Sequence, residues 1–289
     1  MTGFSKLVKF GVPTTAALLS GGYWYEKKVR SNLQTDVTPA LNAESNSLFF
    51  SPTFADAFPY TKWNSNWDMR DPYFLIDRAK YEVASESEKK EMLEKAKPKA
   101  TRNIILIRHG QYNLDSSKHE LTPLGREQAL KVGERLSNSG IVFSRLVMST
   151  MTRAMETATL ILDKLPELPS SSDSILEEGA PYPPEPPVGH WKPKHNFYAQ
   201  GSRIEAAFRK YIHRASPKQK EDSFEIIVCH ANVIRYFVCR ALQFPPEGWL
   251  RMSLGNCSIT WLVVRPSGKV TIRTLGDIGH LPKEMVSFS

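Results

Sequence analysis

Arg108-His109-Gly110 ends a run of β-branched and leucine side chains that begins at Ile104, so one strand end presents a guanidinium beside an imidazole. A guanidinium matches phosphate oxygens through a rigid fork of donors, and a neutral imidazole can accept a phosphoryl group. The tripeptide says little alone, because a lone histidine is more often structural than catalytic. Two other places strengthen it. Leu146-Val147-Met148 reads as a short strand, and after Ser149-Thr150 a helix begins with Arg153 in its first turn. Helix amides and the helix dipole favour an anion there. Phe224 to Cys229 is the strongest buried-strand pattern of the second half, and it ends in His230 before a helix expected over 233–242. The second histidine thus takes the same topological place as the first. Two histidines and two arginines at strand ends, where α/β sheets bind their ligands, point to one centre for handling an anion.

The elements that must carry these groups alternate strand and helix from Thr101 onward. That pattern predicts an α/β fold, a three-layer sandwich with a mostly parallel central sheet and helices on both faces. Thr122 is placed as the N-cap of a helix with Pro123 at its first position, and Leu124, Val132 and Leu136 as its buried stripe. Ile175 to Gly179 leads into Pro181 to Pro187, too stiff and donor-poor for a helix or central strand. It reads as a lid or rim.

A length of 289 residues with 41% hydrophobic content allows one large α/β domain plus an appendage. The net charge of +8 suits nucleic acid, an anionic membrane or a phosphate-bearing substrate. No zinc-finger spacing, interleaved arginine and aromatic run or RNA-binding signature supports nucleic acid. Cys229, Cys239 and Cys257 lack paired spacing, which argues against a disulfide framework and a zinc cluster and for a reducing compartment.

The amino-terminal part reads differently. Leu7 to Tyr25 holds no acidic residue, is mostly apolar or small, and is flanked by Lys6, Lys27, Lys28 and Arg30. As a helix it would reach roughly 28 Å, about the thickness of a bilayer core. An uncleaved anchor is preferred over a secretory signal or a mitochondrial targeting segment, and an anchor with basic flanks is itself compatible with mitochondrial insertion. The expected organisation is an anchor or targeting segment over 1–30, a linker over 31–97 and a folded body over 98–289. Within the linker, Trp63-Asn64-Ser65-Asn66-Trp67-Asp68 sets two tryptophans four apart in polar surroundings, to be buried on this chain's own body or in a partner's pocket. Asp77 to Lys97 is charged and reads as a solvated spacer helix.

Arg108-His109-Gly110, Leu121-Thr122-Pro123-Leu124-Gly125, the run from Ser149 to Thr157, Glu178 and His230, in this order, resemble the histidine phosphatase superfamily, which has the phosphoglycerate mutase fold. The likeness runs from Thr101 to near the end. It is closer to the mitochondrial serine/threonine phosphatase branch, on three grounds. These are the amino-terminal anchor, a segment similar to that branch's Trp-Asp-x-Asn-Trp-Asp motif, and Asn232 to Tyr236 running on to Ala241 through Trp249. Asn64 stands where the motif has its first Asp.

The resemblance implies a phosphoprotein phosphatase. His109 attacks phosphorus and becomes a phosphohistidine, while Arg108, Arg153 and His230 hold the equatorial oxygens. A serine or threonine alkoxide leaves poorly, so a carboxyl must donate a proton and then activate water. The family motif puts that role on Glu178, although nothing in the sequence shows whether Glu178 or Glu177 points inward. No metal or cofactor is expected, since two arginines replace a cation. Trp63, Asn66, Trp67 and Asp68 are the expected assembly residues of a homo-oligomer tethered to a mitochondrial membrane, the outer one favoured. Stress-activated kinase kinases are the implied substrates or partners. Two other readings remain: a sugar-phosphate mutase and a non-catalytic membrane scaffold. Gln111 stands where the mutases carry Glu, and only ten residues separate Gly110 from Leu121, which is too few for the mutase's substrate-gripping segment. Intact His109, Arg153 and His230 oppose the scaffold.

Overall fold

The computed structural model describes residues 61–189 and 193–288. The expected anchor, Leu7 to Tyr25, lies outside them, as does the linker up to Tyr60. Among the described residues no helix is long and apolar enough to cross a membrane. Residues Lys62–Ser289 form one compact unit.

Three helices precede the sheet: α1 (Pro72–Leu75), α2 (Arg78–Val83) and α3 (Glu86–Ala96). The single charged helix expected over 77–97 is therefore two. Ser85 interrupts it by capping α3, accepting from the Glu88 amide while the Glu88 carboxylate accepts from the Ser85 amide at 2.8 Å. This reciprocal box starts helices rather than continuing them.

The body follows as β1 (Arg102–Arg108), α4 (Pro123–Ser137), β2 (Arg145–Met148), α5 (Thr152–Leu162), β3 (Ser170–Ser172), α6 (Lys194–Tyr211), β4 (Ser223–Cys229), α7 (Ala231–Ala241), β5 (Ile259–Val264) and β6 (Val270–Asp277). The strands make one sheet in the order β3-β2-β4-β1-β5-β6. The first four run parallel, and β5 and β6 are antiparallel additions. A mixed, mostly parallel sheet is thus present as expected.

Every residue of β1 is buried, as a strand covered on both faces requires. Its side chains divide by period two. Ile104 and Leu106 join the layer of α6 and α7, with Phe208 and Phe237 at its centre. Ile105 and Ile107 join the layer of α4 and α5, with Val132 and Ile161. Thr122 caps α4 by accepting the Gly125 amide at 3.0 Å, as predicted. The stripe of α4 differs in one place: Val132 and Leu136 are buried, Leu124 only half-buried, and Gln128 and Ala129 complete the contact. The first turn of the helix lies against the turn after β1, where Gly125 and not Leu124 makes the close approach. At the amino ends of the central strands Glu225 of β4 bridges Arg102 of β1 at 2.7 Å and Arg145 of β2 at 2.5 Å. That bridge locks the register of three strands whose other ends carry the chemistry. All three cysteines are buried free thiols.

Candidate active site

Strand register brings the predicted groups together. β1 and β4 pair in parallel with Arg108 opposite Cys229. The next residue on each strand, His109 and His230, therefore emerges beside the other, with ring centroids 5.1 Å apart. On the far side of β4, Met148 of β2 lies opposite Val228, so the following Ser149 reaches His230, with Oγ 2.8 Å from Nε2. α5 starts there and carries Arg153, whose Nε lies 3.2 Å from His109 Nε2. Arg108, His109, Arg153 and His230 are all buried at this one end of the sheet.

The tautomer of His109 follows from its partners. Nδ1 lies 2.8 Å from the Gly110 carbonyl oxygen, which can only accept. The proton therefore sits on Nδ1, and Nε2 keeps its lone pair, directed at the Arg153 guanidinium. Burial, reinforced by the charges of Arg108 and Arg153, holds this imidazole neutral well below the usual histidine range. His230 is held neutral likewise, by burial first and then by His109 and Arg153. Burial lowers Arg108 to about 10 and also lowers Arg153, yet both remain cations at neutral pH. Tyr112, which sequence reasoning passed over, walls this space. Arg153 stacks on its ring at 4.6 Å, and His109 meets it edge-on with centroids 5.3 Å apart.

Two glycines allow the turn after β1. A Cβ on Gly110 would come within 2.5 Å of the Gly125 carbonyl oxygen, and one on Gly125 would overlap the Gln111 carbonyl. The start of α4 can therefore lie directly against the nucleophile's turn. The Gly110 amide donates to Thr157 Oγ1 at 3.0 Å, and that hydroxyl donates to the Arg153 carbonyl at 2.7 Å. One threonine thus ties the histidine turn to the arginine helix.

The adjacent carboxylates part company. Glu178 accepts the Gly179 amide at 3.0 Å and the Asn232 amide at 3.4 Å, which places it at the amino end of α7 beside His230. Burial raises its pKa above the usual carboxylate value against the pull of those two amides, Arg153 and Arg108. Glu177 instead accepts the Thr150 hydroxyl at 2.5 Å. Arg203 of α6 donates to the carbonyls of Ile175, Glu177 and Glu178 and fixes this segment. Asn232 also donates to the Gly179 carbonyl at 3.2 Å. The place of Asn232 was open to sequence reasoning, since it follows His230 by two residues into a helix start. Arg203 had no local signal.

The proline stretch lies next in sequence and borders a cavity of about 660 Å³ lined by Pro181, Tyr182, Pro184, Phe197 and Tyr198. Trp249 Nε1 donates to the Tyr182 carbonyl at 2.8 Å and Arg251 to that of Glu185 at 2.9 Å, which straps this rim to the segment after α7.

The tryptophan segment rests on this chain's own body. Trp67 Nε1 donates to the Gly268 carbonyl at 2.8 Å, and its ring lies 5.7 Å from that of Phe208. Asp68 pairs with Arg214 at 2.6 Å, with side chains only 1% and 3% exposed. Asn66 accepts from the Asp71 amide and from Arg214. Gly268, at φ +82°, leaves the space that a Cβ would take 2.7 Å from the Ser65 carbonyl. Asn64 accepts the Asn66 amide through Oδ1 at 2.9 Å, a bond that the Asp of the related motif would make equally. Trp63 stays 40% exposed.

Comparison with known proteins agrees with this geometry. The profile of the histidine phosphatase superfamily (branch 1) matches residues 104–277. A Caenorhabditis briggsae protein named serine/threonine-protein phosphatase Pgam5, mitochondrial, is 53% identical over 99% of this chain and 99% of its own length. The Caenorhabditis elegans protein of the same name is 53% identical with the same coverage of both. The Homo sapiens one is 56% identical over 78% of this chain and 80% of its own. With a profile match over more than half its length and these relatives, the chain belongs to the histidine phosphatase superfamily, in the branch of the Pgam5 proteins.

Proposed function

We propose that the chain is a serine/threonine-protein phosphatase that works through a phosphohistidine on His109, and that it is tethered by Leu7 to Tyr25 to a mitochondrial membrane, the outer one favoured. The observation that carries the chemistry is the lone pair of a neutral His109 Nε2 facing Arg153 in a buried basic centre. The names of the relatives support the substrate class and the compartment.

Phosphorus is attacked in line by Nε2, and the bond to the serine or threonine oxygen breaks. Arg108, Arg153 and His230 meet the charge on the equatorial oxygens. Glu178 passes its proton to the departing alkoxide. In the second half the Glu178 carboxylate takes a proton from water, the oxygen attacks phosphorus, and the P–N bond breaks to return its electron pair to Nε2.

Purified chain is expected to release phosphate from phosphoserine and phosphothreonine peptides. Peptides from the activation segments of stress-activated kinase kinases, the implied substrates, are the first to assay. Interconversion of phosphoglycerates without phosphate release would favour the mutase instead. The side chain of Gln111 speaks against that, since it is an uncharged amide whose Oε1 is engaged by the Thr122 hydroxyl at 2.9 Å. Inactivity on every phosphate ester would leave the scaffold. Release of the chain from mitochondrial membranes by alkaline carbonate would remove the anchor.

We further propose that the tryptophan segment assembles copies of the chain, on the ground that Trp63 is exposed beside a firmly held Trp67. Covering the part of Trp63 that is still exposed, about 40% of roughly 150 to 250 Å², contributes about 2 kcal/mol per chain at roughly 25 cal/mol per Å². Chains beginning near residue 50 are expected to sediment as larger and faster enzymes than chains beginning near residue 90 or carrying Trp63→Ala with Trp67→Ala. Equal size and turnover in all three would restrict the segment to its contacts on the chain's own body.

A further inference from the structure

A line of hydrogen bonds runs from α4 through the carboxyl-terminal segment to the nucleophile's main chain. Gln128 Nε2 donates to Ser287 Oγ at 2.9 Å. Ser287 Oγ donates to Asn256 Oδ1 at 2.8 Å. Asn256 Nδ2 donates to the His109 carbonyl oxygen at 3.3 Å. Both amide orientations are fixed by backbone groups. Gln128 Oε1 accepts the Gln111 amide at 2.9 Å, and the His109 carbonyl can only accept, so Nδ2 of Asn256 must be the end that meets it. All three bonds point the same way, and bonds so aligned polarise one another. Gln128 and Asn256 are fully buried.

The backbone repeats this connection. The Asn256 amide donates to the Ser287 carbonyl at 2.9 Å, and the Cys257 amide to the His109 carbonyl at 3.2 Å. Arg108 Nη1 donates to the carbonyls of Leu254 at 2.7 Å and Phe288 at 3.2 Å. Residues 254–257 therefore form a shelf between the end of β1 and the carboxyl-terminal segment. Cys257 adopts φ +54° there, a left-handed conformation that a non-glycine residue keeps only where its surroundings enforce it.

We propose that Ser287 and Asn256 are positioning residues for phosphoryl transfer. Ser287 clamps Asn256, Asn256 holds the main chain of His109, and the same segment seats the Arg108 guanidinium through the Phe288 carbonyl. The role rests on the phosphohistidine reading and adds to it a dependence on the last residues of the chain. In-line attack tolerates little displacement, and a misplacement of about 1 Å lowers turnover about a hundredfold. A defect here displaces nucleophile and guanidinium, so it slows every substrate alike whatever its leaving group.

In the full chain, Ser287→Ala is expected to lower kcat about tenfold to a hundredfold on aryl phosphate and phosphoserine peptide equally, and to weaken binding of inorganic phosphate. Ser287→Thr, which keeps the hydroxyl, is expected to restore both, and Asn256→Asp, which cannot donate to the His109 carbonyl, to reproduce the loss. If Ser287→Ala does not fold, Ser287→Cys, with a weaker donor of similar size, is read in the same way. A lower melting temperature with unchanged kcat at 25 °C and unchanged phosphate affinity would show a packing role only and overturn the proposal. A wild-type chain inactive on phosphopeptides would overturn the phosphatase reading instead, while affinity for inorganic phosphate would still decide whether Ser287 positions the site.

Discussion

His109→Ala lowers turnover of a phosphoserine peptide by about a thousandfold or more while the chain still folds, because it removes the covalent route and leaves the surrounding sheet intact. The imidazole contributes one acceptor to the reaction and one donor to the Gly110 carbonyl, so its loss opens a small polar space and no large cavity. Rapid-quench trapping with labelled phosphopeptide finds the label on His109 in wild type, stable to alkali and released by acid. Label on a serine, or an active alanine variant, would refute the mechanism. Arg153→Ala is a weaker test of the same centre, since Arg108 and His230 still surround the anion.

Glu178→Gln separates the two carboxyls by leaving group. A serine alkoxide needs the proton and an activated aryl oxide scarcely does, so phosphoserine peptide slows by about a hundredfold or more while aryl phosphate changes far less. Glu177→Gln, which disturbs a bond to Thr150 at the edge of the site, spares both rates. Reversal of that pattern would move the proton donor to Glu177. The pH profile carries the same information. Burial raises the Glu178 carboxyl, and the acid form is the working one, so kcat/KM on phosphoserine falls as pH rises through that raised value. The aryl phosphate profile stays flat over the same interval. His109 stays neutral well below the ordinary imidazole value of 6.5, so no acid limb appears there in either profile.

The four site groups were legible because each is announced locally: Arg108, His109 and His230 end a buried apolar run, and Arg153 opens the helix that follows one. The cap of α4 was legible for the same reason, as Thr122-Pro123 is a local pattern. The capping box of Ser85 and Glu88 was equally local and went unread, which is why one charged helix was expected where there are two. The choice between Glu177 and Glu178 was not legible, because neighbouring side chains diverge and only the position of α7 and Arg203 decides which one turns inward. The shelf at 254–257 and its clamp at Ser287 had no periodic signature at all. They arise where β5 enters antiparallel beside β1, a pairing that no short-range pattern encodes. The tryptophans were recognised as needing burial. The body they rest on, Gly268 and Arg214, is distant in sequence and was out of reach.

The place of β4 between β2 and β1 governs when a newly made chain can work. The two earlier strands are made first but do not pair with each other, and the bond of Asn103 to Ser223 closes 120 residues of chain. Closures of that span are slow steps in folding. Until β4 threads into the gap, His109 has no His230 beside it, and Ser149 has no ring to hold. A nascent chain in which β4 has not docked therefore lacks the assembled site, and an enzyme that strips phosphate from other proteins begins to act only when the centre of its sheet is complete.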